Sequence, residues 1–226
     1  MMAMILAAGR GERLRPLTDA MPKALVEVNG TSLLERHLAM LAAAGASTVV
    51  INLGWLGEQI VDRIGSGSAF GLQVVYSPEY DHVLETGGGI RRALPLLGAA
   101  PFWVVNADVY TDYVIGSDTL PADCIGHLVL VPTPAHKPTG DFELQAGKVM
   151  NAKTPSLTFS GIACYRPEFF IAESPRRFPL APLLRRAADE GRLSGSLHRG
   201  VWKDVGTAER LAALHQSLRA GEPPHN

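Results

Sequence analysis

The stretch Leu6-Ala-Ala-Gly9-Arg-Gly11-Glu-Arg13-Leu-Arg15-Pro-Leu-Thr18, closed by Pro22-Lys23-Ala-Leu25-Val26, decides how this chain is read. An apolar run, Met4 to Ala8, breaks into a Gly-x-Gly loop, and two arginines and a lysine follow closely. A buried strand that ends in a glycine-rich turn exposes backbone N–H groups, and nearby cations complete a cradle for phosphates. A nucleoside triphosphate site at the start of the fold is the expectation. A dinucleotide fingerprint would need a third glycine leading straight into a helix. Leu14 stands at that position and Pro16 interrupts helix formation. The Gly-Lys-Ser/Thr of a Walker loop is also missing. The glycines alone would make only a turn; Arg13, Arg15, Pro22 and Lys23 carry the phosphate reading.

Working outward, strand and helix patterns alternate. Ser32-Leu-Leu-Glu35 has the form of a capping box, followed by apolar residues at helical spacing up to Gly45. Thr48 to Leu53 reads as a strand covered on both faces. Leu56, Ile60 and Ile64 mark a short helix, and Leu72 to Tyr76 a strand. Gly87-Gly-Gly89 opens a helix bearing Ile90, Leu94 and Leu97. Phe102 to Asp108 and His127 to Val131 are further strands. This alternation predicts an α/β fold with a doubly wound, mainly parallel Rossmann-like sheet. Asp141 to Met150 reads as a small β-hairpin insertion facing a substrate, Leu157 to Tyr165 as a long strand, and Leu180 to Ala187 as a helix. Val201 to Val205 is a last short strand, and Thr207 caps a terminal helix. No linker or repeat divides the chain, so residues 1–226 are expected to form a single domain.

Composition sets bounds. At 226 residues, with 46% hydrophobic and 19% charged, the chain supports one substantial core. A formal net charge of −1 gives no bias toward nucleic acid or an anionic membrane. Cys124 and Cys164 lack metal-ligand spacing and read as reduced, buried thiols. No segment has the form of a signal peptide or a membrane span, so a cytoplasmic location is expected.

Two carboxylates stand out. Asp108 ends the most apolar strand, where a parallel sheet gathers its ligands, and suits Mg2+ beside a phosphate loop. Asp204 lies in Trp202-Lys-Asp-Val-Gly206-Thr207 and is a second candidate for the same ion. Glu85-Thr-Gly-Gly-Gly89 implies that something approaches the backbone closely, and a nucleobase is the candidate. His37, His127 and His215 read as core-edge or surface residues, and Glu79 to His82 as a solvated loop.

Together these residues resemble the sugar-1-phosphate nucleotidyltransferase family. Leu6 to Thr18 and Pro22 to Leu25 carry the long motif; Glu85 to Gly89, Asn106-Ala-Asp108, Phe159-Ser-Gly161 and Trp202 to Thr207 follow in order. The resemblance implies in-line attack by a sugar 1-phosphate on the nucleotide α-phosphate, with release of pyrophosphate. Such chemistry rests on positioning and charge neutralisation and requires no general base. By the same resemblance, Gly9 and Gly11 hold the nucleotide, Arg13 meets the departing pyrophosphate and Lys23 neutralises the reacting phosphates. Leu6, Ala7, Ala8 and Gly88 line the base and ribose site, and Glu12, Thr86 and Asn106 belong to the same binding set. Asp108 and Asp204 ligate Mg2+, while Asp141, Ser160 and Gly161 face the sugar. Ala24 and Ala107 depart from the residues usual at their positions.

Among the branches of the family, the runs at residues 85–89, 140–142 and 157–161 are most similar to the uridylyltransferases that use UTP and N-acetylmuramate 1-phosphate in cell-wall recycling. Mannose-1-phosphate guanylyltransferases are the nearest alternative. A non-catalytic nucleotide-sugar sensor is the reading from another class, and a nicotinamide-dependent oxidoreductase a distant third. No hexapeptide-repeat domain follows, so acetyltransferase activity is not expected. Oligomeric state stays open.

Overall fold

The computed structural model describes residues 1–80, 84–116, 120–173 and 176–221. In chain order, β1 (Met2–Leu6) leads through the glycine loop to a short helix α1 (Leu17–Ala20) and a small ladder of β2 (Glu27–Val28) and β3 (Thr31–Ser32). Next come α2 (Leu33–Ala43), β4 (Thr48–Leu53), α3 (Gly57–Ile64), β5 (Gln73–Pro78) and α4 (Glu85–Leu97). β6 (Phe102–Asn106), β7 (Val109–Thr111), β8 (Gly126–Pro132), β9 (Glu143–Gln145), β10 (Lys148–Met150) and β11 (Leu157–Tyr165) follow. The chain continues through α5 (Glu168–Ile171), α6 (Leu180–Asp189), β12 (Leu193–Leu197), β13 (Trp202–Asp204) and α7 (Ala208–Arg219).

Nine strands form one sheet in the order β5-β4-β1-β6-β11-β8-β12-β10-β9. The half β5-β4-β1-β6 is parallel throughout, and β11 enters antiparallel between β6 and β8. The alternation of strand side chains explains the layers. Ala3, Ile5, Val49, Ile51 and Val105 bury one face against Leu34, Leu38 and Leu41 of α2 and Ile60 and Ile64 of α3. Met4, Val50, Phe102 and Val104 bury the other against Ile90, Leu94 and Leu97 of α4 and Leu180, Leu183 and Leu184 of α6. The parallel strands are apolar on both faces because both faces are covered.

The capping box forms as read: Ser32 Oγ accepts from the Glu35 N–H, and the Glu35 carboxylate accepts from the Ser32 N–H. Thr207 Oγ1 likewise accepts from the Arg210 N–H at the start of α7.

The structure corrects one expectation and completes others. The β9–β10 hairpin is not a separate insertion; Lys148 pairs with Ser194 of β12, so the hairpin extends the main sheet to its edge. β12 itself, Leu-Ser-Gly-Ser-Leu, carries no strand signal and forms because it runs parallel to β8 in continuous register. β13 leaves the main sheet and pairs with β7. The three glycines lie in the first turns of α4, in keeping with the helix that they were expected to open.

Candidate active site

The chain runs from β1 outward to β4 and β5, then returns to place β6 on the opposite side of β1. That reversal leaves a crevice at the carboxyl ends of β1 and β6, the position at which open α/β sheets bind ligands. Leu6 and Asn106 are register partners there, and the Ala107 N–H donates to Leu6 O at 3.2 Å. A cleft of about 360 Å³ opens above them. One end is formed by Gly9, Gly11, Glu12, Arg13, Lys23 and Asp108, and the other by Asn52, Glu79, Glu85 and Thr86. Leu6, Ala7, Ala8, Ala24, Asn106, Ala107 and Gly206 complete the walls.

Local chemistry explains the loop. Gly11 sits at φ +69°, and a Cβ would come within 3.1 Å of Lys23 and Thr18 side-chain atoms. Thr18 Oγ1 donates to Gly11 O at 2.9 Å, which fixes the turn. Gly9 has open space where a side chain would be, so its contour belongs to the cleft rather than to packing. The Lys23 ammonium donates to Asp108 Oδ2 at 2.5 Å, and both side chains are largely shielded from solvent. The Arg13 guanidinium lies against Gly206. Glu12 stays at the rim between Arg10, 3.5 Å away, and Arg15, 3.8 Å away.

At the far end a polar pair is buried under the cleft. Asn52 Oδ1 accepts from the Ala7 N–H at 2.7 Å, and Asn52 Nδ2 donates to Glu79 Oε1 at 2.8 Å. Burial pushes the Glu79 carboxyl above the usual range, although the Asn52 amide acts in the opposite sense. Glu79 is therefore a cleft residue and not part of a solvated loop; Asp81 and His82 lie outside the described residues. Glu85 adopts φ +59°, uncommon for a side chain of its size, and pairs with Arg177 at 2.7 Å.

Asn52, Glu79 and Glu85 were not anticipated as cleft residues. Asn52 carried a signal, being the one amide in an otherwise apolar strand. Glu79 carried none.

The structure does not bring every candidate to the cleft. Gly88 lies behind it: a Cβ would stand 2.6 Å from Arg176 O, and the Gly88 N–H donates to Phe178 O at 3.2 Å. Gly87 abuts the Phe178 ring, and Gly89 abuts Glu79 and Asn52. The close approach that the glycine run implied is thus made by protein atoms. Asp141, Ser160 and Gly161 sit beside the cleft rather than in its lining. A bulge in β11 between Phe159 and Ala163 places Gly161, at φ +82°, against the Asn106 side chain, which does line the cleft. The Phe159 N–H donates to Asp141 Oδ2 at 3.0 Å, and Ser160 O accepts from the Trp202 indole at 2.9 Å.

Asp204 pairs with Arg210 and lies 3.9 Å from His136, in an adjoining hollow of about 340 Å³. It stands opposite Val109 in the β7–β13 ladder, and the Val205 N–H donates to Asp108 O at 2.7 Å. The two aspartates therefore occupy neighbouring backbone positions, while their carboxylates engage different cations. As a donor set they suit a hard divalent ion, since Mg2+ typically takes one or two carboxylates from protein and fills its remaining positions with water and substrate phosphates. Asp108 lines the cleft itself, and Asp204 lines the adjoining hollow.

A glycine loop with flanking cations at a switch point defines a nucleotide-binding α/β protein. Residues 3–113 match the family described as MobA-like NTP transferase domain. Over 220 residues the chain is 49% identical to an N-acetylmuramate alpha-1-phosphate uridylyltransferase of Neisseria meningitidis serogroup B, covering 93% of this chain and 95% of the relative. The enzyme of the same name from Caulobacter vibrioides is 34% identical over 96% of both chains. A mannose-1-phosphate guanylyltransferase of Mycobacterium tuberculosis is 29% identical, with 98% of this chain and 66% of that protein covered. Among solved structures, a Bacillus anthracis protein in complex with sucrose superposes with a TM-score of 0.86 at 21% identity, covering 97% and 96% of the two chains. HddC from Yersinia pseudotuberculosis, complexed with GMP-PN, gives 0.76 at 20%, covering 96% and 99%. The chain belongs to the sugar-1-phosphate nucleotidyltransferase family. Enzymes of this family generally use a divalent metal ion. Among the described residues, no helix is long and apolar enough to cross a membrane.

Proposed function

We propose that the protein transfers a uridylyl group from UTP to N-acetylmuramate 1-phosphate with Mg2+ as cofactor, releasing pyrophosphate, in the cytoplasm. The observation that carries this reading is the Lys23–Asp108 pair packed beside the Gly9–Gly11 loop at one end of the cleft. The extent of the likeness to the Neisseria enzyme supports the choice of branch.

In this reading the Gly9 and Gly11 backbone orients the triphosphate, and Arg13 takes the departing pyrophosphate. Lys23 neutralises the α-phosphate as charge builds in the transition state. Asp108 and Asp204 would hold Mg2+, which would offset the negative charge of the phosphates. Leu6, Ala7, Ala8, Thr86 and Asn106 shape the nucleoside end, and Glu12 stands at the rim of the phosphate end. Asp141, Ser160 and Gly161 form the sugar side. The nucleophile is already a phosphate anion, so catalysis needs alignment and no proton acceptor.

The Asn52–Glu79 pair favours keeping a second reading. A buried acceptor at the nucleoside end suits any base with an imino N–H, guanine as well as uracil. A guanylyltransferase acting on mannose 1-phosphate therefore remains the alternative. Purified protein, each triphosphate, a panel of sugar 1-phosphates and Mg2+ decide between them by pyrophosphate release. UTP with N-acetylmuramate 1-phosphate should give the highest kcat/KM. GTP with mannose 1-phosphate in first place would move the protein to the other branch. Binding without turnover in every combination would make it a sensor.

A further inference from the structure

N-acetylmuramate differs from N-acetylglucosamine by a lactyl ether whose carboxylate is ionised at neutral pH. A site that selects this sugar needs a cation on the sugar side, apart from those that meet the phosphates. Lys23 and Arg13 stand at the phosphate end.

The loop between β8 and β9 supplies a cation elsewhere. From the cleft wall at Asn106 the structure leads through Gly161 to the bulge in β11, where the Phe159 N–H binds Asp141 Oδ2. The same oxygen accepts from the Lys137 ammonium at 3.2 Å, and the two side chains are 33% and 34% exposed. Asp141 is thus the anchor that holds Lys137 at the rim of the sugar side. An ammonium has three N–H donors, and Asp141 engages one, so an incoming carboxylate can share it. The preceding residue, His136, lies 3.9 Å from Asp204 and lines the adjoining hollow with it.

We propose that Lys137 is the specificity residue for an acidic sugar, pairing its ammonium with the lactyl carboxylate of N-acetylmuramate 1-phosphate. The proposal rests on the uridylyltransferase reading above. Lys137 takes no part in the transfer step; it adds binding to one sugar and not to its neutral counterpart.

The test compares N-acetylmuramate 1-phosphate with N-acetylglucosamine 1-phosphate in the wild type, Lys137→Met and Lys137→Arg. Each is read as kcat/KM, or as an inhibition constant where a sugar phosphate does not turn over. Lys137→Met should lower kcat/KM for the acidic sugar by about tenfold, chiefly through KM, as expected for a partly exposed ion pair. The neutral sugar should change by less than about threefold, and Lys137→Arg should keep most of the preference. Equal losses on both sugars would overturn the proposal, because Lys137 would then merely brace Asp141. An unchanged ratio would overturn it as well. A wild type that processes N-acetylmuramate 1-phosphate while Lys137→Met keeps its preference removes Lys137 alone. A wild type that ignores this sugar removes the underlying reading. Lys137 is in an exposed loop, and unchanged circular dichroism and melting temperature would confirm an intact fold.

Discussion

Replacing Gly88 with alanine separates two physical accounts of the glycine run. In an isolated helix the exchange would favour folding, since glycine costs about 1 kcal/mol relative to alanine in a helix interior. In α4 the new Cβ would stand 2.6 Å from Arg176 O and 3.1 Å from Leu84 Cβ. The first neighbour is backbone and cannot turn aside as a side chain can. Relief requires residues 176–178 to retreat by several tenths of an ångström. That segment is tied to the helix start by two bonds of 3.2 Å, Gly88 N–H to Phe178 O and Phe178 N–H to Leu84 O. Overpacking costs about 1–3 kcal/mol, and weakening the two bonds adds up to about 1 kcal/mol each. The loss exceeds the helical gain, leaving a net destabilisation of about 2 kcal/mol. For a chain of this length the melting temperature should fall by about 4–8 °C. Differential scanning calorimetry of Gly88→Ala reads it directly, with kcat/KM for the triphosphate measured well below the transition. A melting temperature that holds or rises while KM for the triphosphate increases would refute the packing argument. It would return Gly88 to the nucleobase site.

Other perturbations probe the cleft and the core. Lys23→Ala and Asp108→Asn should each lower kcat by about 100-fold or more, the scale of losing one preorganised charge contact, with unchanged far-ultraviolet circular dichroism; near-normal rates in both would displace the reaction from this cleft. His37 is buried and desolvation lowers its pKa to about 4, so the folded state resists protonation. Its stability is fully present above about pH 6.5 and declines as pH falls toward 4, by up to roughly 3 kcal/mol; His37→Gln should flatten that slope in melts taken across the range. Burial raises the Cys164 thiol to about 11, and Cys124 is 2% exposed, so an aromatic disulfide reagent should label neither until the protein is unfolded.

Sequence made legible whatever is decided within a few residues. The Ser32–Glu35 capping box and the apolar strand Thr48–Leu53 are local signals, and both formed. The turn of the glycine loop was legible for the same reason: Gly11, Thr18 and Lys23 are close enough in sequence to fold back on one another. β12 was not legible, because Ser194, Gly195 and Ser196 have little preference for a strand. Their state comes from pairing with β8, more than 60 residues earlier. β13 was read as a strand, but its partner β7 was hidden in a three-residue segment after Asp108. Glu79 failed in the other direction. Pro78, Tyr80 and Asp81 give it the surroundings of a surface loop, and only Asn52 from β4 reveals it as a buried acceptor. Pairing and burial set by distant chain segments have no local signature.

The charge balance of the cleft argues for a divalent ion more strongly than the two aspartates do by themselves. Lys23 is directly paired with Asp108, so at rest this couple presents little net charge to an incoming ligand. Asp204 is likewise neutralised, by Arg210. Among the described residues, of the cations that line the cleft that leaves Arg13 to face a triphosphate with several negative charges. Desolvating such a ligand against one guanidinium would leave uncompensated charge in a partly buried site, which is unfavourable. A divalent ion held by Asp108 would change the sum twice. It would supply two positive charges, and the Lys23 ammonium would then be available to the phosphates. Without the ion the same cleft should therefore bind a nucleoside better than its triphosphate, and addition of Mg2+ should reverse that order in a titration.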